Sequence, residues 1–353
     1  MCDAPREGDG LQTPVLRIFG IDAAGRALPG WPVDIEGSPY VYGAPVARMT
    51  GVEMALALRQ YGGDTMPEGE TEPAQLALIG SSGDVQMGKA VDVECCQGGA
   101  APGPASGFMV ETDYAARTSR ITKFGLGGVV WETTLDGIAS LPSFDDAGNA
   151  YLSAWLGQRL DSARLVVLDP SGRVVRESPD DLSVFPTSGW NGAGGESPAA
   201  PIVAGDGSAF VVGDDDGMSI LALNRQGRPR VGWPFHSRFG IEQQGFCPST
   251  DTGCGTFDVR PQIGLDGTLY VATEPAKAGG GSLLAIRPDG AEPAGWPVGL
   301  RRGGAGFWNV MVGSDGGVWA LAAEPERVET YSATLLSIDP ESTVRGRLTI
   351  VEP

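Results

Sequence analysis

One hairpin recurs along this chain, and its recurrence constrains the fold more than any other feature. Turn glycines at Gly25, Gly83, Gly128, Gly172, Gly227 and Gly290 each sit between short apolar runs, and a degenerate seventh copy turns near Glu341-Ser342. The intervals between those glycines are 58, 45, 44, 55 and 63 residues. A second kind of hairpin precedes the first, with turns at Asp146 to Gly148, Asp206-Gly207, Asp266-Gly267 and Asp315-Gly316. Glycine at the turn supplies the positive φ that tight hairpins need. Helices are excluded, because glycine or proline breaks each apolar run before a 3.6-residue period can build.

The clearest copy spans residues 261–300. It reads Pro-Gln-Ile-Gly-Leu, a turn at Asp266-Gly267, the alternating run Thr-Leu-Tyr-Val-Ala-Thr, then Ser-Leu-Leu-Ala-Ile, a turn at Asp289-Gly290, and Pro-Ala-Gly-Trp-Pro-Val. Two hairpins make four short strands, the unit of a β-propeller blade. The chain is therefore expected to be all-β, a propeller of about seven four-stranded blades, read as six full repeats plus an N-terminal hairpin. That hairpin runs Val15 to Phe19 and Gly30 to Ile35. Residues 41–60 hold the weakest repeat, with Val46 to Met49 and Glu53 to Leu58 as its strands. Residues 1–12 read as a tether, residues 13–353 as one domain, and residues 243–258 as a polar insertion.

Gly-Trp-Pro occurs three times, at Gly30-Trp31-Pro32, Gly232-Trp233-Pro234 and Gly295-Trp296-Pro297. Proline cannot donate to a sheet ladder, so the motif is expected on the last strand of a unit, the strand that forms an edge. The tryptophans are expected to pack between neighbouring units rather than to bind sugars. Trp131, in Gly-Gly-Val-Val-Trp-Glu, fills the same slot in a variant unit.

The pattern Asp-Gly-Thr-Leu-Tyr-Val, then Leu-Leu-Ala-Ile-Arg-Pro-Asp-Gly, then a tryptophan, resembles the repeat of quinoprotein-like propellers. The Gly-Trp-Pro-Val ending resembles repeats of secreted bacterial propellers of the FG-GAP type. The resemblance covers nearly the whole chain as a repeat and implies the fold. It says little about function, because such folds host many unrelated activities.

Net charge is −19, and only Lys89, Lys123 and Lys277 are lysines. An acidic surface without a basic stripe repels phosphate backbones, which argues against nucleic-acid binding. No apolar run reaches the ~18 residues of a membrane helix. Cys247 and Cys254 fall in the polar insertion and are expected to form a disulfide, which points to an exported protein, periplasmic, outer-membrane-associated or extracellular. Cys95 and Cys96 are adjacent and read either as a vicinal disulfide or as free thiols. Cys2, followed by a short polar run, resembles the mature start of a bacterial lipoprotein, and a plain start reads equally well.

Few constellations could carry chemistry. The single histidine, His236, follows a Gly-Trp-Pro unit, and with no second histidine it is not expected to catalyse. Asp214, Asp215 and Asp216, before Gly217, are a candidate calcium loop, although consecutive aspartates fit a solvated acidic turn better than a calcium cage. Quinone chemistry finds an echo only in Cys95-Cys96. The sequence therefore favours a non-catalytic binding or scaffolding module whose partner is another protein, with a membrane reached only through a lipid on Cys2. The rival is an enzyme or solute binder at the channel mouth, quinone- or calcium-dependent or carbohydrate-active. An exposed apolar patch favours docking. Convergent carboxylates or arginines around a metal favour the rival.

Overall fold

The computed structural model describes residues 15–18, 27–36, 39–47, 54–60, 71–94, 98–103, 105–156, 162–178, 182, 188–190, 196–214, 218–237, 243–245, 256–258, 261–273, 280–300, 306–313, 316–327, 330–339 and 341–350. Strands β1 (Val15–Ile18) and β2 (Val33–Glu36) form an antiparallel hairpin. A sheet follows with order β3 (Pro39–Ala47), β4 (Met54–Gln60), β5 (Thr71–Ile79), and a fourth position shared by β6 (Val85–Met87) and β7 (Val91–Glu94). The next is β8 (Gly98–Gly103), β9 (Ser106–Asp113), β10 (Thr118–Gly125) and β11 (Gly128–Asp136). In the sheet after it, β12 (Ile138–Ala139) and β13 (Ser143–Phe144) share the first position beside β14 (Ala150–Leu156), β15 (Ser162–Leu168) and β16 (Val174–Glu177).

Short strands β17 (Ser188–Trp190) and β18 (Glu196–Pro198) come next along the chain. Then follows a sheet of β19 (Ile202–Val203), β20 (Ala209–Asp214), β21 (Met218–Leu223) and β22 (Phe235–His236). A small pair, β23 (Gln243–Gly245) and β24 (Thr256–Asp258), precedes the sheet of β25 (Gln262–Ile263), β26 (Leu269–Thr273), β27 (Ser282–Ile286) and β28 (Val298–Gly299). The last sheet is β29 (Gly306–Val312), β30 (Val318–Arg327), β31 (Thr330–Ile338) and β32 (Val344–Ile350). The pairings within these sheets are antiparallel and join chain neighbours, except that β7 pairs with β5 and β12 with β14. The fold class is all-β, of β-propeller type.

The described residues fall into two compact units, one within residues 1–177 and 190–200, the other within 178–189 and 201–353. In each, consecutive sheets pack face on face, and strand alternation decides which neighbour a side chain meets. In the first unit Leu56, Leu58, Ala77 and Ile79 join Trp31, Val33 and Ile35 of the hairpin. Their chain neighbours Ala55 and Leu76 point the other way, onto Met109 and Phe124 of the following sheet. In the second unit Leu269, Val271, Leu284 and Ile286 meet Phe210, Ile220 and Trp233, while Tyr270, Ala272, Leu283 and Ala285 meet Phe307 and Val318.

Both predicted turns share one geometry. In the second hairpin of residues 261–300, Gly290 N–H donates to the Arg287 carbonyl at 2.8 Å and Arg287 N–H to the Ala291 carbonyl at 2.9 Å. In the first hairpin, Gly267 N–H donates to the Gly264 carbonyl at 2.9 Å and Gly264 N–H to the Thr268 carbonyl at 2.8 Å. This is a tight turn followed by a residue in the left-handed region, the three-residue hairpin loop. The motif aspartates serve these turns: Asp266 accepts from Thr268 N–H at 2.9 Å, Asp206 from Ser208 N–H at 2.8 Å and Asp289 from Ala291 N–H at 3.1 Å. Part of the acidity of the chain is thus turn chemistry. Gly25 lies outside the described residues.

The structure corrects the place of Gly-Trp-Pro. The motif lies in a turn just ahead of the last strand of its sheet rather than on it. Trp31, Trp233 and Trp296 donate their backbone N–H to the carbonyls of Leu28, Arg230 and Pro293 at 3.1, 3.3 and 3.3 Å. Their N–H groups are thereby spent, and the proline has none, so the ladder resumes only at Val33, Phe235 and Val298. The three Trp-Pro peptide bonds are cis. The indoles do pack between sheets, Trp233 against Leu269 and Leu284 and Trp296 against Phe307; within its own sheet each also meets a ring, Phe210 and Tyr270, at 5.4 Å. The weak repeat also shifts. Its strands are Pro39–Ala47 and Met54–Gln60, so the expected Val46 and Leu58 lie in strands, whereas Met49 and Glu53 lie outside the described residues.

Candidate functional site

Most residues singled out from the sequence carry no structural description. Cys2, Cys95, Cys96, Cys247, Cys254, Asp215 and Asp216 lie outside the described residues. Asp214 ends β20, where its backbone pairs with Met218, and its side chain is outside the description. Among the described residues no cluster of three metal-ligating side chains occurs.

His236 is in β22, opposite Ser219 of β21, and its Nδ1 lies 2.9 Å from the Ser219 hydroxyl. A serine–histidine contact invites a nucleophile reading, but Ser219 is buried, and among the described residues no carboxylate hydrogen-bonds the imidazole. A buried hydroxyl cannot approach a substrate carbonyl, and an unoriented imidazole is a poor base. The pair ties the short fourth strand to its neighbour.

A second polar cluster forms around Asp145, at the turn between β13 and β14. Its buried carboxylate accepts from the N–H of Asn149 at 2.9 Å, from Asn149 Nδ2 at 2.8 Å and from the Tyr151 hydroxyl at 3.0 Å. Burial pushes the Tyr151 phenol up to about 12, and the Asp145 charge adds to the shift while Arg176 opposes it. Nη1 of Arg176 is buried without a hydrogen-bond partner. The cluster locks a turn onto its sheet.

The edge formed by β11 is different. Where the other unit has two-residue fourth strands behind Trp-Pro, β11 has nine residues and no proline. Trp131 sits inside this strand and is held as the sequence expects: its indole N–H donates to the Pro170 carbonyl at 2.9 Å, and Thr133 donates to the Gly172 carbonyl at 2.5 Å. Beneath it, the Lys123 ammonium lies 5.5 Å from the Phe108 ring centre and 3.4 Å from the same Pro170 carbonyl, and burial lowers its pKa. The ladder with β10 shifts register after Lys123, so Val130 is the extra residue of a bulge. Bulges re-aim side chains, and here Val129 and Val130 stand 53% and 60% exposed. Leu126 and Met87 are exposed beside them, the turn at Leu126 being tied to Lys89 N–H at 2.8 Å. Val174 and Val175, just beyond Gly172, are exposed on β16. In the other unit Met311 and Trp319, paired across β29 and β30, are also exposed.

Sequence reasoning missed this edge. The signal was present in Gly-Gly-Val-Val-Trp-Glu, which keeps the tryptophan of the slot and drops the proline that shields an edge.

The search of solved structures returned similar folds at low identity. They include a protein of unknown function from Bacteroides caccae (13% identity, 80% of this chain and 89% of that chain, TM-score 0.43). The Dos1 propeller matches at 8% identity over 85% and 68% of the two chains, with a TM-score of 0.47. Dihydro-heme d1 dehydrogenase NirN in complex with DHE matches at 13% identity over 95% and 78%, with a TM-score of 0.45. No protein-family model matches the chain, and no curated protein matches it.

Proposed function

We propose that this protein is a non-catalytic binding or scaffolding propeller that docks another protein on the edge around β11. The observation that supports this reading is the row of exposed apolar side chains there, with Val129 and Val130 as its centre. Exposed apolar groups that cluster rather than scatter mark interaction surfaces. Export is part of the proposal and rests on the cysteine pattern of the sequence, with lipid attachment at Cys2 as its tether.

A photo-crosslinking amino acid placed at Val130 in the native host tests the reading. The expected result is a discrete adduct with one protein, absent when the probe sits at the exposed Arg345 of β32. No adduct at Val130, or the same adducts from both positions, would overturn it.

A further inference from the structure

We infer that β11 takes up its partner by strand addition, pairing with an extended segment that carries lysine or arginine at alternate positions. This inference rests on the docking reading above and names its mode and its ligand.

The phase of the β10–β11 ladder decides which backbone groups are free. Just past the end of the ladder, Gly137 N–H donates to the Arg117 carbonyl at 2.8 Å. The register continues as Thr118 with Asp136, Ser119 with Leu135, Arg120 with Thr134, Ile121 with Thr133 and Thr122 with Glu132. In an antiparallel pair the inward-pointing groups alternate along the strand. Counting back in twos from Gly137, Leu135 and Thr133 face β10. Asp136, Thr134 and Glu132 turn their N–H and C=O outward. Among the described residues nothing hydrogen-bonds those outward groups. They form an open template for another strand.

The side chains of the same three residues select the occupant. Glu132, Thr134 and Asp136 are all exposed and share one face of the strand. Arg120, opposite Thr134, is already paired with Glu111 at 2.8 Å, and Lys123 is engaged beneath Trp131, so neither cancels the edge charge. A second copy pairing β11 with β11 about Thr134 would set Glu132 against Asp136, a like-charge contact that disfavours self-pairing. A basic strand meets the opposite charge at Glu132 and Asp136 and lies along Val130. The other long fourth strand among the described residues, β32, exposes Arg345 and Arg347, but Arg345 is bound to Asp339 at 3.1 Å. Pairing of that strand with β11 of another copy would be a head-to-tail contact rather than a symmetric pair.

Fluorescence anisotropy with a labelled, end-blocked peptide of alternating lysine and valine tests this on the whole protein. The expected result is saturable binding that weakens at high salt, no binding of the glutamate–valine peptide, and loss of binding when alternate amides along one edge of the peptide are N-methylated. Thr134→Pro removes an outward N–H that the fold does not use, and should weaken binding at least about tenfold with unchanged circular dichroism. If that variant fails to fold, Glu132→Lys with Asp136→Lys serves in its place and should weaken binding to the same extent. Absence of peptide binding, equal binding by Thr134→Pro, or head-to-tail growth through β32 would each overturn the inference. Failure of strand addition alone is recognisable: the Val130 crosslink would persist in the Thr134→Pro protein.

Discussion

The indole N–H of Trp233 donates to the main-chain carbonyl of Pro288 at 3.2 Å, reaching from the turn before β22 to the hairpin turn between β27 and β28. Trp31 makes the same contact to Ser81 at 3.3 Å, and Trp131 to Pro170 at 2.9 Å. The backbones meet at the same place: a Cβ at Gly232 would lie 2.6 Å from the Asp289 carbonyl oxygen, and one at Gly290 would lie 2.7 Å from that of Gly232. Both residues have positive φ, so each needs glycine for conformation and for space. The same contact thus joins one sheet to another within each unit.

Trp233→Phe keeps most of the packing against Phe210 and loses the donor, and should cost about 1 kcal/mol. Trp233→Ala also opens a cavity between the sheets and should cost roughly 3–5 kcal/mol. Urea unfolding midpoints of the two variants check the order. Equal losses would show that the hydrogen bond, not the ring, holds the sheets.

Ser342 occupies the turn position held elsewhere by glycine, with φ of 70°. A residue with a Cβ is strained there by roughly 1–2 kcal/mol. Ser342→Gly should therefore raise stability, by up to about 1 kcal/mol after the added freedom of the unfolded glycine is counted. Thermal melts of the two proteins decide it, and a lower midpoint for the variant would contradict the strain.

Tyr151 links stability to pH. Its phenol is raised from 10.0 to about 12 in the fold, chiefly by burial. A group whose folded pKa lies above its unfolded value stabilises the fold fully below the unfolded pKa. Its contribution is therefore intact below pH 10 and is lost as pH rises from 10 towards 12. Tyr151→Phe should cost about 1 kcal/mol at neutral pH, where Asp145 still accepts from Asn149, and should flatten the alkaline loss. Unfolding free energies of both proteins across pH 9–12 check the slope.

His236→Gln should cost less than about 1 kcal/mol, because an exposed amide can still meet the Ser219 hydroxyl. Any activity assigned to the protein should survive the change. A loss beyond about tenfold with an unchanged melting temperature would place chemistry at the β21–β22 edge.

Much of this structure is local and was legible in the sequence. The turns at Gly83, Gly172, Gly227, Gly267 and Gly290 depend on a positive φ that the chain announces by placing glycine there. The unbroken apolar run Leu283, Leu284, Ala285 and Ile286 announces a strand buried on both faces. The tryptophan slot follows from its fixed distance to the turn glycine, 6 residues at Trp31, Trp233 and Trp296, with Trp131 as a variant only 3 residues beyond Gly128. Two things were decided only by tertiary structure. One is the Gly-Trp-Pro turn, misplaced by one step because proline's missing N–H says where a ladder cannot run, not where it resumes. The other is the β11 edge. The absence of a proline permits a long strand, but whether Glu132, Thr134 and Asp136 turn their amides outward depends on the register with β10, and a one-residue slip reverses every group. Register is a relation between two strands, set by the packing of Leu135 and Trp131 against the next sheet. No single strand's residues can encode it.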